Sequence, residues 1–384
     1  MGKTKFGLFF YNTENIGDEV QSIAAKRFLP RVDYYFDRDN IDGTDTGDDE
    51  VKIIMNGWFT HKPENWPPKN KNINPLLIAM HVEQDALNGR VAKAFVTDES
   101  KRFLNEHGPV GARNYPTLEL LNKNGVEAYF SGCVTLTLKP DPRIKRQDYV
   151  LAVDVSDKVF DNIKSRTKRR VIRLDTYRSP DMTREEKFAL AYYWLYLYQS
   201  AHAVVTTRLH TMLPCLAFQT PVFAIAGRDP KRYSGLIDLV RHASENEFIK
   251  NEKLFDLDKP DNNPEDYLAL RKNLEQTCRK FTGFDSERSF LGDYDLTSLL
   301  LSPDFAQVVC DSVYSTLKRD LLIGDVAYLK ELTVACEERI ASLQSENQAL
   351  KDRICVLENP TVKDAARRLV NSTRKSVAKR IARD

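Results

Sequence analysis

The feature that most constrains this 384-residue chain is an alternation of short β-rich runs with helical patterns, played out twice. In the first third, Lys5–Tyr11, Val51–Asn56, Leu76–His81, Ala92–Val96, Val110–Arg113 and Val126–Ser131 read as strands, with helical stretches between several of them. A second series follows the Pro140 and Pro142 segment, at Tyr149–Val155, Arg170–Leu174, Ala203–Thr206 and Val222–Ala226. Strands separated by helices imply mostly parallel sheets covered on both faces. The predicted fold class is therefore α/β, with two Rossmann-like domains and the ligand site in the cleft between them. The first domain is expected over residues 1–145 and the second, with a helical extension, over 146–322.

Local signals refine this plan. Asp18 followed by Gln21 reads as a capping box opening a helix that runs to about Phe28. Gly108 and Gly125 stand where two further helices would stop. The run Phe188–Tyr198 is too short to cross a bilayer and lies beside Arg184, Glu185, Glu186 and Lys187, so it reads as a buried helix. Six scattered cysteines with no CxxC pair support neither a zinc ribbon nor a disulfide framework, which fits a reducing cytoplasm. The first residues lead straight into a strand without a signal-peptide pattern, so export is not expected.

The end of the chain differs in kind. Over 323–358, Leu329, Cys336, Leu343, Leu350 and Leu357 recur every seven residues, with Thr333, Ile340, Asn347 and Ile354 as a companion seam. Ile opposite Leu with one Asn favours a two-stranded parallel coiled coil and hence a homodimer; an amphipathic helix folded back on the body is the alternative. The tail over 359–384 mixes Val362, Ala366, Leu369, Val370, Val377 and Ile381 with basic residues. Residues 361–384 carry eight Lys or Arg and two Asp, six net charges of a chain total of +2, which leaves the rest near −4. Such a basic amphipathic segment could contact the inner face of a membrane, or stay solvated. Nucleic-acid binding is not expected, because the tail has no aromatic residue for stacking.

The stretch most informative about chemistry is 203–222. A buried strand ending at Thr206 or Thr207 passes almost at once into a helix, which puts Arg208 and His210 at a helix start. Free N–H groups and the helix dipole favour an anion there, and Arg adds a forked donor. The same dipole lowers a histidine pKa and keeps the imidazole neutral until an anion binds. A helix-end salt bridge is the ordinary alternative for an Arg-x-His pair.

The Thr-Arg-Leu-His segment at 207–210, followed by a small-residue helix and a Thr-Pro-Val strand, resembles the C-terminal signature of the polysaccharide pyruvyltransferase family. Tyr11 to Gln21 and Gly111 to Thr117 are similar to two further pieces of that family, in the same order, so the resemblance spans roughly 5–245. It implies a GT-B-like pair of Rossmann-type domains. It also implies transfer of the enolpyruvyl unit of phosphoenolpyruvate to two hydroxyls of a sugar, forming a cyclic ketal in a bacterial-type surface polysaccharide or its precursor. The acceptor is then a sugar or a lipid-linked glycan, and neither metal nor bound cofactor is required beyond phosphoenolpyruvate as donor. Family members use the Arg and His of this motif around that donor, which maps onto Arg208 and His210. Arg113 matches the Arg of a family Arg-Asp piece, with Asn114 in place of the Asp.

Phosphoenolpyruvate carries a carboxylate and a phosphate, so two clamps are expected: Arg208 with Thr207 and the helix start, and Arg113. His210 either protonates the substrate's methylene carbon or only hydrogen-bonds phosphate. Asn12, Asn15, Gly17 and Asp18 follow a strand and are candidates for acceptor binding, although helix capping explains Asp18 and a turn explains Gly17. Trp58 could stack on a sugar or simply pack, His81 is a weaker candidate for the same cleft, and Arg228 could extend the basic surface or sit in a solvated loop. Two other functions fit: a GT-B glycosyltransferase using a nucleotide sugar, and a catalytically silent glycan-assembly scaffold.

Overall fold

The computed structural model describes residues 4–179, 181–226, 230–284, 287–292, 294–295, 339–355 and 360–381. The first lobe is a six-stranded sheet of β1 (Lys5–Phe10), β2 (Tyr34–Asp37), β3 (Val51–Phe59), β4 (Ile73–Val82), β5 (Val110–Ala112) and β6 (Ala128–Phe130). Its order is β2-β1-β3-β4-β5-β6 and every pairing is parallel. Helices α1 (Gly17–Lys26), α2 (Arg90–Phe95), α3 (Asp98–Glu106) and α4 (Tyr115–Lys123) connect these strands. The second lobe has β7 (Tyr149–Val153), β8 (Arg170–Leu174), β9 (Ala203–Thr206), β10 (Val222–Ile225) and β11 (Arg241–Ala243) in the order β11-β10-β9-β7-β8, again all parallel. Its helices are α5 (Asp157–Arg166), α6 (Arg184–Ser200), α7 (Leu209–Ala217), α8 (Pro230–Tyr233), α9 (Glu245–Lys250) and α10 (Leu268–Thr282). The protein is thus an α/β fold with two parallel sheets, as the alternation dictates.

Central strands read as continuous apolar runs because helices cover both faces. Every residue of β7, β9 and β10 is buried. One core cluster runs through both lobes, joining Leu8, Val20 and Ile23 to Leu151, Trp194, Val204 and Leu213. Helix α1 belongs to the first lobe by sequence but packs on α6 and α7 of the second. The two outer clusters fill the remaining face of each sheet, around Phe59 and Trp66 in one and Phe223 and Phe248 in the other.

Three sequence readings are corrected. The predicted strand at Ala92–Val96 is helix α2: Val91 and Phe95, four apart, are its buried residues, so the apolar spacing is helical. The Asp18–Gln21 capping box is not formed, since α1 starts at Gly17 with Ile16 as N-cap and no side-chain cap. True capping boxes occur at Thr183–Glu186 and Ser244–Glu247. Strands β2 and β11 were not signalled. Both are sheet edges of four and three residues, mostly half-buried, so neither shows a clear apolar period.

Residues 1–316 form one compact unit and 317–384 another. In the second unit, residues 339–355 and Pro360–Ile381 are helical. Ile340, Leu343, Leu350 and Ile354 are exposed on the first of these helices, while Leu329, Thr333, Cys336 and Leu357 lie outside the described residues. Cys133, Cys215, Cys278 and Cys355 are free thiols. No helix among the described residues is long and apolar enough to cross a membrane.

Candidate active site

The carboxyl ends of the two sheets meet where α1 approaches α7. Gly17 opens α1, and a Cβ built there would lie 3.0 Å from His210 Nδ1 and 3.1 Å from its Cβ. The tight spacing at Gly17 comes from the close approach of the lobes rather than from a left-handed turn. His210 is the second residue of α7 and has ψ 17°, off the helical value, in its first turn. It is buried, and its Nε2 has no hydrogen-bond partner. Burial first, then the charges of Arg113 and Arg232 and the proximity of His81, hold its pKa well below the usual histidine range. The resting imidazole is neutral.

Arg113 follows β5 directly and is 0% exposed. Its Nη1 donates to Gln21 Oε1 at 3.1 Å, whereas Nε and Nη2 are buried without an acceptor. Burial drags its pKa down to about 10, so it stays charged at neutral pH. Gln21 in turn donates to Asp18 Oδ1 at 3.3 Å, and Asp18 Oδ2 accepts from Thr13 Oγ1 at 2.7 Å. Asp18 therefore serves a buried polar network in place of a cap. Two orphaned donors on a fully buried guanidinium are costly.

Arg208 is the N-cap of α7, with a side chain 45% exposed. Its Nε donates to Asp154 Oδ2 at 2.9 Å. Asp154, just past β7, has φ 53°, in the left-handed region where a non-glycine residue is strained. The same Oδ2 accepts from Thr176 N at 2.9 Å and Thr176 Oγ1 at 2.7 Å, and its backbone oxygen accepts from Thr207 Oγ1 at 2.8 Å. Asp154 thus fixes Thr207, Arg208 and the 176 loop together.

A third arginine, unsignalled in the sequence, joins the lobes. Arg178 is fully buried, pairs with Glu19, and donates from Nε to Thr13 O at 2.7 Å and from Nη2 to Thr13 Oγ1 at 3.2 Å. The backbone reinforces the link: Ile16 N donates to Thr176 O at 2.8 Å and Arg178 N to Glu14 O at 2.9 Å. Asn114 caps α4 through Thr117 N and donates from Nδ2 to Lys231 O at 3.1 Å, so it too bridges the lobes. Asp154 stands directly past the buried strand β7, whereas Arg178 is four residues beyond β8, a mostly half-buried strand.

The other sequence candidates fall as follows. Asn15 Oδ1 accepts from Gly17 N at 3.1 Å and so shapes the turn into α1. Asn12 is exposed and donates to Asp37 Oδ2 at 2.8 Å. Trp58 is half-buried at the end of β3, its ring 4.4 Å from that of His61 and 5.5 Å from the Arg38 guanidinium, beside an Arg38–Asp39 ion pair that the sequence did not signal. His81 is buried, reaches Glu83 Oε2 at 3.2 Å, and has its pKa lowered to about 4 by burial and then by Arg113. Arg228 lies outside the described residues. A 280 Å³ cavity lined by Lys26, Arg31, Tyr192 and Phe290 sits at the far end of α1 and shares no lining residue with this cluster. No group of His, Cys, Asp and Glu able to hold a metal occurs among the described residues.

Residues 15–229, more than half of the chain, match the family model described as polysaccharide pyruvyl transferase. The chain belongs to that family. The match takes in the α1 turn, Arg113, Asp154, Arg178, Arg208 and His210. No curated protein is significantly similar to the chain in sequence. Among solved structures, one of the wall teichoic acid polymerase TagF aligns at 12% identity and TM-score 0.34, covering 83% of this chain and 90% of that one. A TagF variant soaked with CDPG aligns at 14% identity and TM-score 0.31 with the same coverage. Likenesses this distant decide nothing about the pyruvyltransferase site.

Proposed function

We propose that this polysaccharide pyruvyltransferase takes phosphoenolpyruvate as donor and forms a cyclic ketal on two hydroxyls of a glycan, between lobes in a GT-B-like arrangement. The observation that carries the reading is a buried set of nitrogens without hydrogen-bond partners: the Arg113 donors Nε and Nη2, and His210 Nε2, whose role follows its tautomer. A small, multiply charged anion supplies what these groups lack. Arg113 and Arg208 clamp its carboxylate and phosphate, and Thr207 and the α7 start stand beside them.

His210 is neutral at rest, so it acts as an acid only after the donor's negative charge raises its pKa and it takes up a proton. It then protonates the methylene carbon, and a glycan hydroxyl adds to the cationic C2. Phosphate departs with its bonding pair, the second hydroxyl adds, and the two hydroxyl protons restore His210 and leave with phosphate. Asn12, Asn15 and Trp58, on the first lobe, are assigned to the acceptor side. The heptad helix is assigned to pairing two copies of the chain.

The reading is tested by incubating the purified protein with phosphoenolpyruvate and candidate glycans. Glycan-dependent phosphate release, lost in Arg208→Ala and His210→Ala at unchanged thermal stability, is the expected result. Release of nucleoside diphosphate from nucleotide sugars, with none of phosphate, would overturn it in favour of glycosyl transfer.

A further inference from the structure

We propose that the C-terminal helix, Pro360–Ile381, is an interfacial anchor that lies flat on an anionic lipid surface. The helix runs unbroken for 22 residues. At 100° per residue, positions 362, 366, 369, 370, 373, 377 and 381 fall on one side, all apolar apart from Thr373. Leu369 and Val370, half-way along the helix, are 71% and 54% exposed. Lys363, Arg374 and Arg367 line one edge of that side, and Lys375, Arg368 and Lys379 lie on the face opposite it. Arg380, in the last turn, stands at the angle of Val362, and Lys363 at that of Ile381, so two cations fall at positions within the apolar side.

Charge complementarity selects the occupant. The tail from 361 holds six net positive charges while the remainder of the chain is near −4, so attraction to an anionic surface is concentrated in this helix. A second helix is a poor fit, because the heptad seams through this side, 362-366-369-373-376-380 and 363-366-370-373-377-380, both place Thr373 near the centre and end on Arg380. The helix cannot span a bilayer, and it has no aromatic residue with which to stack on single-stranded nucleic acid. Its apolar side is built mainly from small residues, so insertion alone is weak and charge must supply the rest, at roughly fivefold in partitioning per basic residue near the surface. This inference stands independently of the reaction assigned to the other unit.

The experiment is flotation of the full-length protein with vesicles of phosphatidylcholine alone and of phosphatidylcholine mixed with phosphatidylglycerol. Co-flotation with the mixed vesicles only, falling as salt is raised, is expected. The double substitution Leu369→Glu, Val370→Glu and the quadruple substitution Arg367→Gln, Arg368→Gln, Arg374→Gln, Lys375→Gln should each lower the bound fraction about tenfold or more. An unchanged melting curve would show that the body remains folded. Absence of flotation, equal flotation with neutral vesicles, or a double variant that floats like the parent overturns the proposal. So does oligonucleotide binding that survives the double substitution in a protein that ignores both vesicles.

Discussion

Arg208 and His210 were legible from their place between a strand and a helix, but the residue that aims Arg208 was not. Asp154 reads in the sequence as a polar residue after an apolar strand, and only its left-handed backbone and its four contacts reveal it as a hub. Asp154→Asn keeps a residue that tolerates this backbone while removing the charge that holds Arg208 Nε. The variant should fold normally and lose about ten- to hundredfold in kcat/KM, mostly through a higher KM for phosphoenolpyruvate; steady-state kinetics with donor varied check this. His81 gives a prediction in pH. Its folded pKa of about 4 lies below the ordinary histidine value near 6.5, so the unfolded chain binds the extra proton. Stability from this group is therefore fully present above about pH 6.5 and is lost as pH falls toward 4, by as much as about 3 kcal/mol. Urea unfolding across that window should show a shallower acid loss in His81→Gln than in the parent, and parallel curves would refute the assignment.

At the scale of elements, long buried segments were readable and short edge segments were not. Strands β7, β9 and β10 and helix α6 are apolar for a physical reason, burial on more than one side, and the sequence carries that directly. The α1 turn was read as a cap, although Asp18 in fact accepts from Thr13 and Gln21. Single-sequence spacing cannot distinguish a local cap from a polar network whose other members, Arg113 and Arg178, come from distant strands. The heptad helix carries its own test. Ile340, Leu343, Leu350 and Ile354 are exposed on residues 339–355, and Asn347 stands in the same repeat. If that seam pairs two chains, Asn347→Leu removes the polar residue that restricts pairing to two strands and should shift the species in light scattering from dimer toward higher order. A monomer both before and after would refute the pairing.

For the molecule as a whole, two parallel sheets are joined by one continuous core and by polar bridges from Arg178, Ile16 and Asn114. The lobes are held so that their strand ends converge on Gly17 and His210. Composition and alternation disclosed the two sheets; the convergence could not be read, since it depends on α1 packing on α6 and α7 of the second lobe as well as on β1 and β3 of its own. The central claim is that the unpartnered nitrogens of Arg113 and His210 exist to receive an anionic three-carbon donor. The most direct measurement is a crystal of the protein soaked with phosphoenolpyruvate. Donor oxygens within hydrogen-bond reach of Arg113 Nε or Nη2 and of His210 Nε2, with Arg208 closing on the other acidic group, are predicted; a ligand bound elsewhere, with those three nitrogens still lacking acceptors, would contradict the account.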